Sequence, residues 1–415
     1  MKADRSFILI LLLTFYSGAL ITVLSPMAID IEQAIPQITQ SDVNFVVSVF
    51  LIVGASSSLI WAILIERFSA KKILVVTTLE WAIFEFFTMF STNLYSLLFF
   101  QFFAAIGFGA IVPFSYSLIT ELFEPEKRGK AFGLKETVFV VGYGASYILS
   151  GFLVGIFPWF MPLIIISMGG FSLAFLLAFS KEPASSKSNS NSKNLEIDAK
   201  KWLNVRDLRQ IAVNKSNILI LMFYFLTWIG NGAIAQCFTT FLRNDYGLSP
   251  EIATVFLIIV FCGQIPSGII FGNLADKWYK KDKNGRIKIL FLCLVCGTIL
   301  NSVAFTLVFS MSNLGLIVFF VVFTCGGSTF LNSLDPLTQT AIGDINPSRL
   351  RSTSFAICDC CKIYGRSLSI LLIVNFFNYF NSQYRPGYII LSILTLIFST
   401  LLIPLMKSYP NNVIS

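Results

Sequence analysis

The 415-residue chain contains no histidine. That absence removes the side chain that most often binds metals and moves protons near neutral pH. Charge is scarce too: Asp, Glu, Lys and Arg make up 13% of the chain, against roughly 25% in soluble domains. Apolar residues reach 55% and mean hydropathy is +0.77. A soluble fold has too few buried positions for that much apolar surface, whereas a bilayer supplies an apolar environment for it. Cysteine is missing from the first half. All eight, Cys237, Cys262, Cys293, Cys296, Cys325, Cys358, Cys360 and Cys361, fall inside apolar segments of the second half. Extracellular disulfides would sit in loops, so these read as reduced, packed thiols. Cys293-x-x-Cys296 has metal or redox spacing but no second pair, and Cys358-Asp-Cys-Cys361 is only a slightly better metal candidate. No nucleophile–base pair, phosphate loop or metal set emerges, so the chain reads as a non-enzyme without a cofactor.

A bilayer core needs about 20 apolar residues per helix. Twelve segments qualify: 7–29, 43–65, 73–92, 96–118, 131–155, 158–180, 216–238, 252–274, 287–309, 314–338, 352–376 and 384–405. The first could pass for a signal peptide, but its apolar run is too long and has no clear cleavage site. The fold class is an all-α polytopic membrane protein.

The basic residues set the orientation. With the N-terminus inside, 26 of the 30 Lys and Arg fall in or beside cytoplasmic segments. The outside loops hold only Arg243 and Arg385, and Lys362 and Arg366 lie inside a span. Both termini are expected in the cytoplasm, in the plasma membrane. The net charge of +8 is then a topology signal, and no nucleic-acid partner is expected. Residues 181–215 separate two groups of six spans and include the polar run Ser185–Lys193, which reads as a flexible linker. The expected division is 1–180, 181–215 and 216–415.

The halves echo each other. Gly272-Asn-Leu-Ala-Asp276-Lys277-Trp278 closes span eight, and Ala62-Ile-Leu-Ile-Glu66-Arg67 closes span two. Arg128-Gly-Lys-Ala-Phe132 opens span five, and Arg351-Ser-Thr-Ser-Phe355 opens span eleven. Gly107-Phe-Gly109 in span four matches Gly326-Gly327 in span ten. Twelve spans, the 6+6 division and Gly-x-Leu-Ala-Asp-Lys resemble the major facilitator superfamily of secondary transporters, over nearly the whole chain. The resemblance implies two pseudo-symmetric six-helix bundles. It implies a cytoplasmic latch as well, with Asp276 facing the start of span five near Arg128 and Glu66 facing the start of span eleven near Arg351. A carboxylate at a helix N-terminus is worth about 0.3–1 kcal/mol. The bland alternative is that Gly272, Asp276, Lys277, Glu66, Arg67, Arg128 and Arg351 only fix topology.

Charges inside spans cost about 2.5–3.5 kcal/mol each. Span eleven carries Asp359, Lys362 and Arg366, spaced i, i+3 and i+7 on one helical face. Asp359 can pair with Lys362, leaving Arg366 as an unpaired cation that binds an anionic group or pairs with a carboxylate from another span. The alternative is a structural ion-pair network. In the resembled family spans one, four, seven and ten line the cavity, which favours Asp335 for substrate or protons. Glu136 lies a turn into span five, and Glu80 and Glu85 lie in span three, where Glu85 is a coupling candidate. Tyr116, Asn231, Gln236 and Asn332 are uncharged cavity candidates or helix–helix hydrogen bonds.

Proton-coupled drug exporters of this superfamily carry an arginine four residues before the span-four Gly-x-Gly; here that residue is Phe103. Asp30-Ile-Glu32, Arg351–Phe355 and Lys362-Ile-Tyr-Gly-Arg366 resemble spinster-like lysolipid transporters. Against that subfamily, span one has no charge and Ala110 stands where an acid is expected. The expectation is a monomeric secondary transporter moving a small organic solute, anionic or amphipathic, with ion or proton coupling. A non-transporting membrane receptor or scaffold is the rival from another class. The expected partners are a small-molecule substrate and the lipid bilayer.

Overall fold

The computed structural model describes residues 5–122, 125–180, 211, 213–264, 266–309, 313–346 and 348–413. Among them all regular structure is helical. Eight helical segments are long and apolar enough to cross a bilayer, and the bent pair Arg385–Ser399 and Leu402–Asn412 makes a ninth. Two shorter apolar helices, Thr137–Leu153 and Pro250–Gln264, fall on spans five and eight. Span eleven is the 32-residue helix Ser348–Tyr379, which carries three internal charges where its neighbours carry almost none.

Local chemistry sets the boundaries. Span two starts at a capping box, in which Thr39 and Asp42 satisfy each other's backbone N–H groups. Asn93 and Ser96 do the same for span four. Asn214 caps span seven, whose helix Lys215–Tyr246 ends at Gly247 with φ 65°, the left-handed conformation that glycine adopts without strain. Breaks inside spans follow proline. A proline lacks the N–H that would bond the carbonyl four residues back, and its ring clashes with that carbonyl. Pro113 lies four residues after Gly109, where span four divides into Leu94–Phe108 and Ile111–Leu122. Pro336 lies four after Asn332, where span ten divides into Leu314–Asn332 and Leu334–Ile345. Pro404 does the same at Thr400 in span twelve. Span eight is interrupted at Pro266, between Pro250–Gln264 and Ser267–Tyr279.

The chain forms two compact units, Met1–Ala199 and Lys200–Ser415. In the first, span one packs on span five, span three on spans four and six, and span two on span four. In the second, span seven packs on span eleven, span nine on spans ten and twelve, and span eight on span ten. The pairing repeats in the same order, as a duplicated unit requires. Small residues permit the closest approaches, as is usual between membrane helices. Gly142 in span five lies against the Phe15 carbonyl of span one. Gly365 in span eleven lies against the Phe225 carbonyl of span seven. Large apolar side chains such as Phe175, Phe179, Phe319 and Val322 are exposed, the surface a lipid-facing helix presents. Cys262 is exposed among them, so it is not one of the packed thiols the sequence suggests; the other seven are buried or partly buried.

Candidate functional site

The second unit gathers the charges of span eleven. The close approach at Gly365 sets one side of the next residue, Arg366, and Gly232 sets the other: a Cβ on Gly232 would lie 2.6 Å from the Arg366 Cα. Ala233 N donates to Ser369 Oγ at 2.8 Å, tying the two helices one turn further on. Arg366 is 8% exposed, and its Nη2 donates to Gln236 Oε1 in span seven. The expectation of an unpaired Arg366 is therefore corrected. The helix pairing that buries it also brings an amide carbonyl to it.

Lys362 also has a partner that helical spacing does not supply. Its Nζ pairs with Asp335 Oδ2 of span ten. Asp335 Oδ1 accepts a hydrogen bond from Tyr224 of span seven at 2.5 Å. The Lys362 ammonium also lies 4.9 Å from the centre of the Trp228 ring, a cation–π distance. Asp359 Oδ1 accepts from Gln339 Nε2 at 3.3 Å. Spans seven, ten and eleven thus meet at Asp335, a partner for Lys362 that the spacing within span eleven does not supply.

Asp335 is one wall of a cavity of about 100 Å³ among spans seven, eight, nine and ten. Asn231 and Asn332 line it too. Asn231 Nδ2 donates to Thr227 O at 3.0 Å, and Asn332 Nδ2 donates to Ser267 Oγ at 2.9 Å, so both also serve as hydrogen bonds in the bundle. Apolar walls come from Phe238, Leu257, Val260 and Phe261.

Where spans eight and ten end and span nine begins, Arg286, in the first turn of Gly285–Thr306, holds two carboxylates. Its Nη2 donates to Asp276 Oδ1 at 2.9 Å, and its Nη1 pairs with Asp344 Oδ2. Tyr409 OH donates to Asp344 as well, and the guanidinium lies 4.1 Å from the Tyr279 ring centre. Asp276 is thereby tied within its own half. Its side chain is 60% exposed, so this pair alone contributes at most about 1 kcal/mol. Lys277 is exposed, and a Cβ on Gly272 would meet nothing within 4 Å. In the following loop, a hydrogen bond from Lys288 holds Asp282 below the usual carboxylate range.

In the first unit Glu85 is fully buried, and its Oε2 accepts from Gln101 Nε2 at 2.9 Å. Among the described residues no cation pairs with it, and its Oε1 has no partner. Phe103 stacks on Phe84 with ring centres 5.0 Å apart, purely apolar packing where the drug exporters have a cation. The side chains of Glu66, Arg67, Tyr116, Arg128, Glu136 and Arg351 lie outside the described residues.

Sequence reasoning missed Tyr224, Trp228, Gln339, Arg286 and Asp344. The first two are aromatic residues in an apolar run and carry no signal of their own. Arg286 and Asp344 are visible as span-end charges, but they read as topology markers.

Comparison with known proteins agrees with this architecture. The family model described as Major Facilitator Superfamily matches residues 7–357 and 221–414, in two overlapping matches. The putative niacin/nicotinamide transporter NiaP of Bacillus subtilis (strain 168) is 27% identical over 139 residues, 34% of this chain and 35% of that protein. Multidrug resistance protein 2 of the same organism is 22% identical over 275 residues, 65% of each. The chain therefore spans about a third of the first relative's length and just under two thirds of the second's. The crystal structure of a bacterial homologue of the human lysosomal transporter Spinster, inward-facing and unoccupied, superposes with a TM-score of 0.78 at 16% identity. That match covers 100% of this chain and 99% of the other, and at such identity it shows a shared fold.

Proposed function

Because the chain belongs to the Major Facilitator Superfamily, we propose that it is a secondary transporter moving a small organic anion by alternating access, with both termini in the cytoplasm of the plasma membrane. The observation that carries this reading is the Asp335–Lys362 pair at the edge of the cavity, with Arg366 one turn deeper on the same helix. Two cations inside one span are costly to insert and are suited to a carboxylate ligand. A substrate carboxylate that takes Lys362 releases Asp335, which is then placed to accept a proton. The coupling ion in this reading is a proton travelling with the anion. Glu85, a buried carboxyl without a cation, is a second proton site. The niacin transporter among the relatives makes nicotinate the first anion to test.

The test is thermal unfolding of the purified protein with nicotinate, benzoate and nicotinamide, at about pH 5.5 and about pH 7.5. A ligand at about 100 times its dissociation constant stabilises by about 2.7 kcal/mol. The anions are expected to raise the melting temperature, more so at the lower pH. Stabilisation by anions that does not change with pH would remove the proton. No stabilisation by any anion would favour the receptor or scaffold reading.

A further inference from the structure

We propose that the cavity among spans seven, eight, nine and ten receives the apolar end of the transported solute and limits that end to about one six-membered ring. The inference deepens the transport reading and rests on it for one point, that the solute's charged end stays beside Asp335 and Lys362. The cavity has two unlike ends. Trp228 and Asp335 lie at the same end, because both face the Lys362 ammonium. Asn332 Nδ2 reaches Gln264 O at 3.3 Å, which sets the span-eight and span-ten walls level there. About 15 Å further along span seven, by the rise of a helix, Phe238 stacks on Phe320 of span ten with ring centres 6.3 Å apart. Phe320 in turn meets Phe256 of span eight, and these contacts set the opposite end.

The polar groups open to the cavity gather at the Asp335 end. They are the Asp335 carboxylate, the exposed Asn332 and the half-buried Gln264, beside the Trp228 indole. Thr227 Oγ1, Asn231 Oδ1 and the Asn301 amide belong to lining residues, but these atoms are buried between helices and do not reach the space. Asn231 Nδ2 and Thr324 Oγ1 donate to backbone carbonyls of their own helices. Ser328, 7% exposed, adds a hydroxyl part-way along the wall. Towards Phe238 the wall is apolar. Ile234 and Val260 keep 8% and 5% of their surface open there, and Phe261 and Leu331 are half-buried. Phe238 closes the end at 1% exposed, with the fully buried Phe241 and Phe320 packed behind it.

That arrangement selects a ligand class. A polar group pushed towards Phe238 would lose its water without gaining a partner, so what enters is hydrocarbon, and the Ser328 hydroxyl can serve one heteroatom of a ring. Size follows from volume. The cavity measures about 100 Å³, against about 150 Å³ for an enclosed site that takes benzene. One ring fits with its substituent left at the Asp335 end, and a fused second ring does not. At that end Lys362 and Asp335 neutralise each other, so a carboxylate could take Lys362 or an ammonium could take Asp335. Tyr224 already donates to Asp335, and Arg366 adds a second cation one turn along span eleven, so the balance favours a carboxylate. The solute is then a monocarboxylate with one compact ring.

The experiment measures melting temperatures of wild type, Val260→Phe and Val260→Ala, each alone and with acetate, benzoate, 2-naphthoate, benzyl alcohol or benzylamine. Wild type should bind benzoate at least about tenfold more tightly than acetate, the gain from burying a ring, and should bind 2-naphthoate more weakly than benzoate. Val260→Phe fills the apolar end. It should weaken benzoate by at least about tenfold and leave the response to acetate as it was. Val260→Ala enlarges that end, should narrow the gap between 2-naphthoate and benzoate, and stands as the test if Val260→Phe fails to fold. Acetate as effective as benzoate, or 2-naphthoate as tight as benzoate in wild type, would overturn the proposal. So would a benzoate response untouched by Val260→Phe, a gap unchanged in Val260→Ala, or a wild type that no ring compound stabilises. Benzyl alcohol or benzylamine equal to benzoate, with the same loss in Val260→Phe, would overturn the anion reading and leave the apolar pocket standing.

Discussion

Asp335→Ala alone should destabilise the protein more than Asp335→Leu and Lys362→Met combined. The single change leaves the Lys362 ammonium inside a span without its span-ten carboxylate and strips Tyr224 OH of its acceptor. Breaking a fully buried pair costs about 3–5 kcal/mol. Here each side chain is 26% exposed, and the Trp228 ring still faces the ammonium. Solvent screening and that ring bring the expected loss down to about 2 kcal/mol. The double replacement removes both charges and leaves apolar groups of similar volume, a change that is often close to neutral. The single changes Asp335→Leu and Lys362→Met and their double should show a coupling of about 1–2 kcal/mol, read from unfolding midpoints. Strict additivity would mean that Lys362 and Asp335 are independent.

Gly365→Val should nearly abolish folded protein, and Gly142→Val should do the same in the other half. At each position a side chain would strike a neighbouring helix's backbone carbonyl, Phe225 O or Phe15 O. A side chain could rotate away, but a carbonyl in a helix cannot. The expected cost is at or above the upper end of the about 1–3 kcal/mol typical of overpacking. Gly365→Ala should show a smaller loss in the same direction. Gly272→Ala is the contrast. Nothing lies within 4 Å of its would-be Cβ, and alanine is favoured in a helix by about 1 kcal/mol, so stability should hold or rise. Folded yield after membrane extraction, with melting temperature, separates the three outcomes. A stable Gly365→Val protein would contradict the packing of span seven on span eleven.

The division into spans was legible in the sequence because apolar length reports directly on a bilayer. The breaks in spans four, ten and twelve, each four residues before a proline, were not read from the sequence. Span eleven stood out for its charges, and the structure brings Lys362 to Asp335 and Arg366 to Gln236. Their pairing was not legible. Spacing on one helix brings Asp359 to mind for Lys362, because i and i+3 are near neighbours. Asp335, the partner that the structure adds, comes from another helix. Asp276 shows the reverse case. Its motif is conspicuous, yet its partner Arg286 lies across a loop whose length the motif does not specify.

The central claim is that the cations of span eleven serve an anionic substrate. Uptake of nicotinate into proteoliposomes, with the interior more alkaline than the exterior, tests it for wild type and for Arg366→Gln at matched amounts of folded protein. Wild type should accumulate nicotinate, and Arg366→Gln should fall by about 10–150-fold, the worth of a hydrogen bond to a charged group at about 1.5–3 kcal/mol. Uptake by Arg366→Gln at the wild-type rate would contradict the account.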